Sequence, residues 1–480
     1  MNPKRWLVTM AAFSLPALAA VWPVGPGRTY DLPSEVASLV GDGDTVLIDA
    51  GTYADVCSWR ANSLLLRGWG GRAVLDAEGM SLAEGKAIWV IKGNCTRVES
   101  IEFANASCPD KNGAGIRQEG TGLAVTWCVF RDNEDGVLAG ADSLSDITVE
   151  YSEFRYNGFG DGQSHNLYIG RVRSFTLQYC WSHRAYIGHE VKSRARFNYI
   201  LYNRIMDEDS GDASREIDLP NGGRSYVIGN LLQKGQYAEN SNMVGYGLEG
   251  VTAGYDTVLF CVNNTMVNQR SPQGPFLQLQ SGTRAQVFNN VFYGSTEIVR
   301  GGRHQGSNNW VPVGHHGDDS LAGSVVGTDP GLADTAVFNY RLLPGSACVD
   351  SGVMPDSTLR PVFQYVHPCD HEPRPVVGAM DIGAYEYAST GLAGARRSRV
   401  REGAAPLVSP SPFLNHASVR NRERERFVVC DRAGRRVGEY PGSNIGADLC
   451  PGVYLLLDPA RPGCAVPFVK LGRGARAGSK

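Results

Sequence analysis

The residues with the most chemistry to offer fall in three short stretches: GQSHNLYIG at 162–170, YIGHEVKSRA at 186–195 and ASREIDLPNGG at 213–223. Between them they hold His165, His189, Lys192, Arg194 and Arg215, the acids Glu190, Glu216 and Asp218, and Tyr168. Crowded charges of both signs shift one another's proton affinities, which acid–base chemistry requires. The same crowding is also what a ladder of structural ion pairs looks like. The elements that carry these residues decide between the two.

Those elements belong to a repeat. From about residue 95 to 295 the chain cycles through an apolar residue, a small polar residue, another apolar residue and a turn. Cys128, Ser152, Cys180, Asn203, Asn230, Asn264 and Asn290 hold the polar place, at spacings of 24, 28, 23, 27, 34 and 26 residues. Periods of this size mark stacked repeat architectures. The segments are short, alternating and rich in Val, Tyr, Phe and Ile, with Gly, Asn and Asp between them, which excludes helical repeats. An amide recurring at a bend can hydrogen-bond from coil to coil where backbone groups would otherwise go unpaired. The pattern predicts an all-β solenoid, a parallel β-helix of three short strands and three turns per coil, with loops that absorb the variable length. A β-sandwich is the alternative, and the long period disfavours it.

On this frame His165 lies 13 residues after Ser152, Lys192 12 after Cys180 and Arg215 12 after Asn203. The count therefore sets these three side by side on neighbouring strands, about 5 Å apart. Strand alternation puts Leu167, Ile169, Val191, Ser193, Ala195, Ile217 and Leu219 inside. It leaves Asn166, Tyr168, Glu190, Lys192, Arg194, Glu216 and Asp218 outside. His165 and Arg215 have the inward parity, so they reach solvent only at the strand-entry bend; His189 is expected at the rim with them.

VGPGRTYDLPSEVASLVGDGDTVLIDAGTY at 24–53 resembles the entry segment of right-handed parallel β-helix proteins of the pectate-lyase-like superfamily, and DIGAYEY at 381–387 resembles a segment that often closes them. Around Lys192 the chain is also similar to the alginate lyase and chondroitinase B family. There a Lys-Ser pair is followed, after an Asn-containing strand, by an Arg opening the next coil; Lys192, Ser193, Asn198, Asn203 and Arg215 match. The resemblance implies β-elimination on an acidic, uronic-acid-containing polysaccharide, with Lys192 as base and Arg215 as acid. His165 and Tyr168 are alternative proton carriers, and Arg194, His189 and Asn166 would bind substrate. Removing a proton beside a carboxylate requires that carboxylate to be neutralised and a suitable base to stand close. The family's calcium makes Glu190, Glu216 and Asp218 candidate Ca²⁺ ligands. The chain departs from the family where Arg-His-Gly becomes Arg215-Glu216-Ile217 and where the Asn-Gly-Glu calcium element is missing. A glycoside hydrolase on the same fold is the second reading, although Glu216 and Asp218 on one strand do not flank a bond as two-carboxylate hydrolysis needs. A non-catalytic glycan-binding or adhesive surface protein is the third.

The rest of the 480 residues sets the context. A formal net charge of −3 lacks the basic excess of a nucleic-acid binder. Residues 1–20 read as a signal peptide, with Lys4 and Arg5, an apolar run from Trp6 to Leu18, and the small-residue site Ala17-Leu18-Ala19. The protein is thus expected to be secreted or at the cell surface. That run is short for a bilayer span and no later segment is long enough, so no transmembrane segment is expected. The β-helix is expected over 21–388, a linker over 389–411 and a small β-sandwich-like domain over 412–480. The last resembles a type IX secretion sorting domain through Asp431, Gly434, Arg435, Val437 and the run Gly-Val-Tyr-Leu-Leu at 452–456. It implies the secretion machinery as a partner of an otherwise monomeric protein. Of the eleven cysteines, Cys348 with Cys369 and Cys450 with Cys464 are the pairs expected first to bridge. The acidic clusters at Asp132, Glu134 and Asp135 and at Asp207, Glu208, Asp209 and Asp212 read as solvated corner insertions. His315 and His316 read as exposed loop residues.

Overall fold

The computed structural model describes residues 19–316, 320–375 and 377–387, and short strands between 408 and 470. The main body is a right-handed parallel β-helix. Ten short strands form one face, in chain order Cys57–Trp59, Ala87–Ile91, Ala114–Gln118, Asp135–Ala139, Leu167–Ile169, His189–Ser193, Arg215–Leu219, Val244–Tyr246, Leu277–Leu279 and Val299–Arg300. The other two faces join through the long strand Leu65–Asp76 into one 23-stranded sheet. Each coil thus pairs in parallel with the coil before and after it. Closing the solenoid this way buries the apolar side of every short strand, which no single coil could do alone.

The core is a set of stacks along the axis. Phe103, Phe130 and Phe154 lie face to face with ring centroids 5.0 and 4.7 Å apart. Trp59 and Trp89 extend the stack with edge contacts. All five rings are fully buried. At the entrance the strand Val21–Val24 pairs with Thr45–Ile48, and the four-residue helix Pro33–Val36 inserts Val36 into the core, covering the first coils as the entry segment implied.

The polar repeat forms one continuous ladder. Cys128 N donates to Ser152 Oγ, Ser152 N to Cys180 Sγ and Cys180 N to Asn203 Oδ1. From there each Asn backbone N–H reaches the next amide oxygen at 2.9–3.0 Å, through Asn230, Asn264 and Asn290 to Asn309. The residue before each rung bends the chain through the left-handed region, and four of those residues are Trp127, Tyr151, Tyr179 and Tyr202, at φ 50–58°. A bulky residue there costs about 1–2 kcal/mol, which the ladder bonds and the ring stack Trp127–Tyr151–Tyr179–Tyr202 offset. In the next coil Gly229 takes the bend, where a Cβ would lie 2.6 Å from the Tyr202 ring.

The chain then folds back over this ring stack. The hairpin Phe363–Val366 with Asp370–Pro373 sets His371 against Tyr179, centroids 4.0 Å apart, and Val362 N donates to Tyr202 Oη. The 381–387 segment lies along the same side. Gly383 N bonds Asn289 O, and buried Arg374 holds Glu386 at 2.9 Å.

Several expectations need correcting. Cys348 and Cys369 are free thiols. Cys348 packs in the apolar cluster around Tyr340 and Tyr365, whereas Cys369 points at Ser152 O. The acidic corners are solvated only in part: Asp132 and Asp209 are exposed, as expected, but Glu134, Asp135, Asp207 and Glu208 are buried. Asp207 is fully buried and accepts from Gly235 N and Ala213 N. Glu134 takes up the amides of Cys108 and Gly113, and Asp135 that of His165. These acids close the turns between coils.

Residues 1–18, and with them most of the expected signal peptide, lie outside the described residues, as do most of the linker and Cys450 and Cys464. Beyond the β-helix a four-stranded antiparallel sheet runs in the order Arg436–Pro441, Arg426–Asp431, Gly452–Leu457 and Ala465–Lys470. A short strand pair joins Val408–Ser409 to Ser418–Val419. Gly434 and Arg435 of the sorting resemblance fall outside the described residues. No helix among the described residues is long and apolar enough to cross a membrane.

Candidate functional site

The three chemistry-rich stretches do lie on adjacent strands of the ten-stranded sheet, but in a different register from the count. Tyr168 pairs with Lys192 and Lys192 with Asp218, while His189 pairs with Arg215. The offsets misled because the turn between ladder and strand varies. The coil carrying Lys192 uses residues 184–188, and the coil carrying Asp218 uses 207–214. Lys192 and Arg215 are therefore three positions out of register on adjacent strands.

Parity also breaks at the strand entry. Glu190 and Val191 both face inward, as do Glu216 and Ile217. Glu190 is fully buried and its carboxylate accepts from Ala185 N at 2.9 Å, Ser182 Oγ at 2.8 Å and Asn166 Nδ2 at 2.5 Å. Glu216 is fully buried with Lys234 Nζ 3.3 Å away, and its Oε2 has no hydrogen-bond partner. Burial pushes both Glu190 and Glu216 well above the usual carboxylate range. Asn166, Glu190 and Glu216 are thus interior corner residues, not outer-face ones. In exchange, His189 and Arg215 come to the cleft at the strand-entry bend, the condition on which their access depended, whereas His165 stays fully buried.

What remains outside surrounds a cleft of about 440 Å³, into which Tyr168, His189, Lys192, Arg194, Arg215 and Glu249 project. Asp218 forms the floor, nearly fully buried, with Lys192 Nζ at 3.9 Å, Arg215 Nη1 at 3.4 Å and His189 Nε2 at 3.4 Å. Burial raises the Asp218 carboxyl, and Arg215 and Lys192 work against that. Burial, with Lys192 and Arg215 nearby, holds the His189 imidazole well below its ordinary value, so it is neutral at neutral pH. Arg194 donates from Nε to Tyr168 Oη at 2.9 Å and from Nη1 to Asn221 Oδ1 at 2.7 Å. Lys192 and Arg194 both lie over the Tyr168 ring, 5.3 and 5.6 Å from its centre, a favourable placement for cations.

His165 sits behind this surface. It is fully buried, stacked on His189 at 4.8 Å, and its Nδ1 accepts from His189 N at 3.0 Å. It therefore cannot reach a substrate as a proton carrier; it fixes the ring that does face the cleft. The accepting Nδ1 leaves the proton on Nε2, which has no partner.

The proposed calcium ligands do not come together. Two of the three face the interior, and Asp218 is ringed by two cations and an imidazole, a poor set for a hard cation that wants several oxygens. Among the described residues no group of three or more His, Cys, Asp or Glu side chains is arranged to hold a metal.

Other residues of the site escaped the sequence reading, and Asp161, Gln163, Ser214 and Glu239 also line the cleft. Glu249 reaches in from the turn after Val244–Tyr246, with its carboxylate 2.7 Å from Arg194 Nη2 and 3.6 Å from Lys192 Nζ. Asn221 holds Arg194 from the turn after Arg215–Leu219. Both stand in Gly-bounded turns (Pro-Asn-Gly-Gly and Gly-Leu-Glu-Gly), the only signal that could have pointed to them.

No protein-family model matches the sequence, and neither does any curated protein. Among solved structures, the chain superposes on the crystal structure of pectate lyase Pel9A with a TM-score of 0.52 at 12% identity, over 78% of this chain and 97% of that one. ORF18 of Geobacillus virus E2 gives 0.39 at 13% identity over 55% and 53% of the two chains. The pectin methylesterase of Aspergillus niger gives 0.30 at 11% identity over 68% and 94%. The likeness to the pectate lyase establishes the β-helix fold that the chain shares with it.

Proposed function

We propose that this protein acts on an acidic polysaccharide and cleaves it by β-elimination at a uronic acid unit. The observation that carries the reading is the convergence of Lys192, Arg194 and Arg215 with Tyr168 and neutral His189 in one open cleft on a β-helix. Lys192, Arg194 and Arg215 would meet a polyanion in a groove that Asp161, Glu239 and Glu249 also line, and a low-dielectric floor strengthens the cations' pull on charge developing in the reaction. In this reading Arg194 and Lys192 face the sugar carboxylate, and Lys192, as the free amine left when its proton passes to solvent, takes the proton next to it. The Tyr168 hydroxyl, polarised by Arg194, is the group placed to return a proton to the leaving oxygen. Arg215, tied to Asp218, adds positive potential rather than a proton. In this reading neutralisation of the carboxylate during proton transfer falls to Arg194, with the positive potential of Arg215 behind it. The pectate lyase superposition supports the fold on which this chemistry is placed, and the charge pattern supports the substrate class.

The test is an ultraviolet assay for unsaturated uronides on alginate, pectate, glucuronan and glycosaminoglycans, with and without a chelator. Growth in absorbance that Lys192→Ala abolishes is the expected result. New reducing ends without absorbance would replace the lyase by a hydrolase, and binding without either product would leave a glycan-binding surface protein. The reading includes export, resting on the residue pattern of 1–20; mass determination of the mature N-terminus checks it.

A further inference from the structure

The cleft is not empty of carboxylate. Glu249 lies across Lys192 and Arg194 as a uronate carboxylate would, with one oxygen toward each cation, 3.6 and 2.7 Å away. Its side chain is nevertheless about half exposed, 48%. The backbone under it is fixed: Glu249 N donates to Pro220 O, Gly250 N to Gly247 O, and Asn221 Nδ2 to Gly250 O. The turn needs its glycines, since Gly247 and Gly250 sit at φ +75° and +95°. A rigid turn thus presents a solvated carboxylate that leaves by rotation of its own side chain. Arg194 does not depend on Glu249 for its position, because Tyr168 Oη and Asn221 Oδ1 hold the guanidinium independently.

Resting on the polyuronate reading above, we propose that Lys192 and Arg194 form the subsite for the carboxylate of one hexuronate unit, and that Glu249 occupies this subsite in the free protein until substrate displaces it. Glu249 then acts as a built-in competitor for that subsite. A neutral or esterified sugar brings no charge to replace the one it would expel, so it leaves Arg194 without an ion pair and Lys192 with Asp218 alone. A uronate restores both contacts. The competition weakens the apparent affinity for every ligand of the subsite.

The experiment is calorimetric binding of short oligouronates (galacturonate, mannuronate and glucuronate series) and their methyl esters to the full chain and to Glu249→Gln. Glu249→Gln should bind the acidic oligomer about two- to fivefold more tightly, the range one exposed ion pair allows, and should tighten the ester by a similar factor, because Glu249 leaves for either ligand. Arg194→Gln should weaken acid binding and cancel the effect of Glu249→Gln when the two are combined. Unchanged or weaker binding by Glu249→Gln overturns the proposal while leaving the polyuronate reading intact. No binding of any acidic oligomer by parent or variant overturns both. Tighter binding without unsaturated product sustains the subsite and removes the lyase.

Discussion

Replacing Asn230 by Ala tests the ladder that holds the site coils in register. Asn230 is fully buried. Its Oδ1 accepts from Asn203 N at 2.9 Å and Asn203 Nδ2 at 3.0 Å, and its Nδ2 donates to Ile200 O at 2.8 Å and Asn264 Oδ1 at 3.0 Å. Truncation removes all four bonds but does not orphan all four partners. Asn203 Nδ2 keeps Leu177 O, and Asn264 Oδ1 keeps Asn230 N, which survives the change. The Asn203 backbone N–H is left with nothing, and Ile200 O loses its amide. Two buried groups deprived at about 1–3 kcal/mol each, with a small void beside them, amount to a loss of about 3–5 kcal/mol. A solenoid need not unfold in one step. The assay therefore pairs calorimetric unfolding with hydrogen exchange at the Asn203 amide, which should lose protection before its neighbours. Asn230→Asp should be at least as damaging, because an acceptor would then face Ile200 O. A loss below about 1 kcal/mol with Asn203 still protected would refute the account of the ladder as the source of coil register, since one unsatisfied buried donor alone should exceed it.

Other outcomes follow from the buried charges and the cleft. Lys234→Met leaves Asp207 and Glu216 without their cation and should cost about 3–5 kcal/mol. Both acids are already raised by burial, so the folded state holds protons the unfolded state releases above about pH 4. The deficit of this variant against the parent should thus widen from pH 5 to pH 8, as paired urea titrations would show. His165 and His189 are depressed by burial, so the unfolded state binds more protons below about pH 6.5 and stability drains away as pH falls from there. The melting temperature of a His165→Gln, His189→Gln double variant should fall less than the parent's between pH 7.5 and 5. Arg194→Lys keeps the charge but not the fork that meets Tyr168, Asn221 and Glu249 together; KM for an acidic polymer should rise with kcat less affected.

Most of the fold was legible in the sequence because a repeated bend leaves a repeated residue. The seven small polar positions form the ladder, and Asn309 and the ring of residues before each rung complete it. The site was legible in composition but not in geometry. The turns leading into the ten-stranded sheet differ in length, so a count from Cys180 and Asn203 lined up Lys192 with Arg215, when the register matches Lys192 to Asp218. Simple alternation failed at the same place. Glu190 and Glu216 look like outer-face acids on a period of two, yet the backbone turns them inside, where hydrogen bonds from Ala185, Ser182 and Asn166, and the Lys234 ammonium, receive them. Glu249 was invisible because nothing in its own turn repeats.

The interior acids and the cleft are parts of one arrangement. A strand that entered the sheet with strict alternation would point His189 and Arg215 into a core of Val191, Ile217 and Leu177, where neither is tolerable unpaired. Sending Glu190 and Glu216 inward at the corner lets the preceding residue turn out. The buried acids of the corner are received in part by the turns beside them: Glu190 takes the Ala185 amide and Asp207 those of Ala213 and Gly235, while Glu216 meets the Lys234 ammonium and keeps one oxygen unpartnered. The same corner that costs two buried acids thereby delivers an imidazole and a guanidinium to Asp218, one strand position away from Lys192. The same corner sends Ile88, Met243 and Phe276 inward beside Trp89, Val244 and Leu277 in other coils, so it is a rule of this sheet. What singles out the site is that two adjacent coils fill the inward place with Glu190 and Glu216 and the preceding place with His189 and Arg215, which line the cleft.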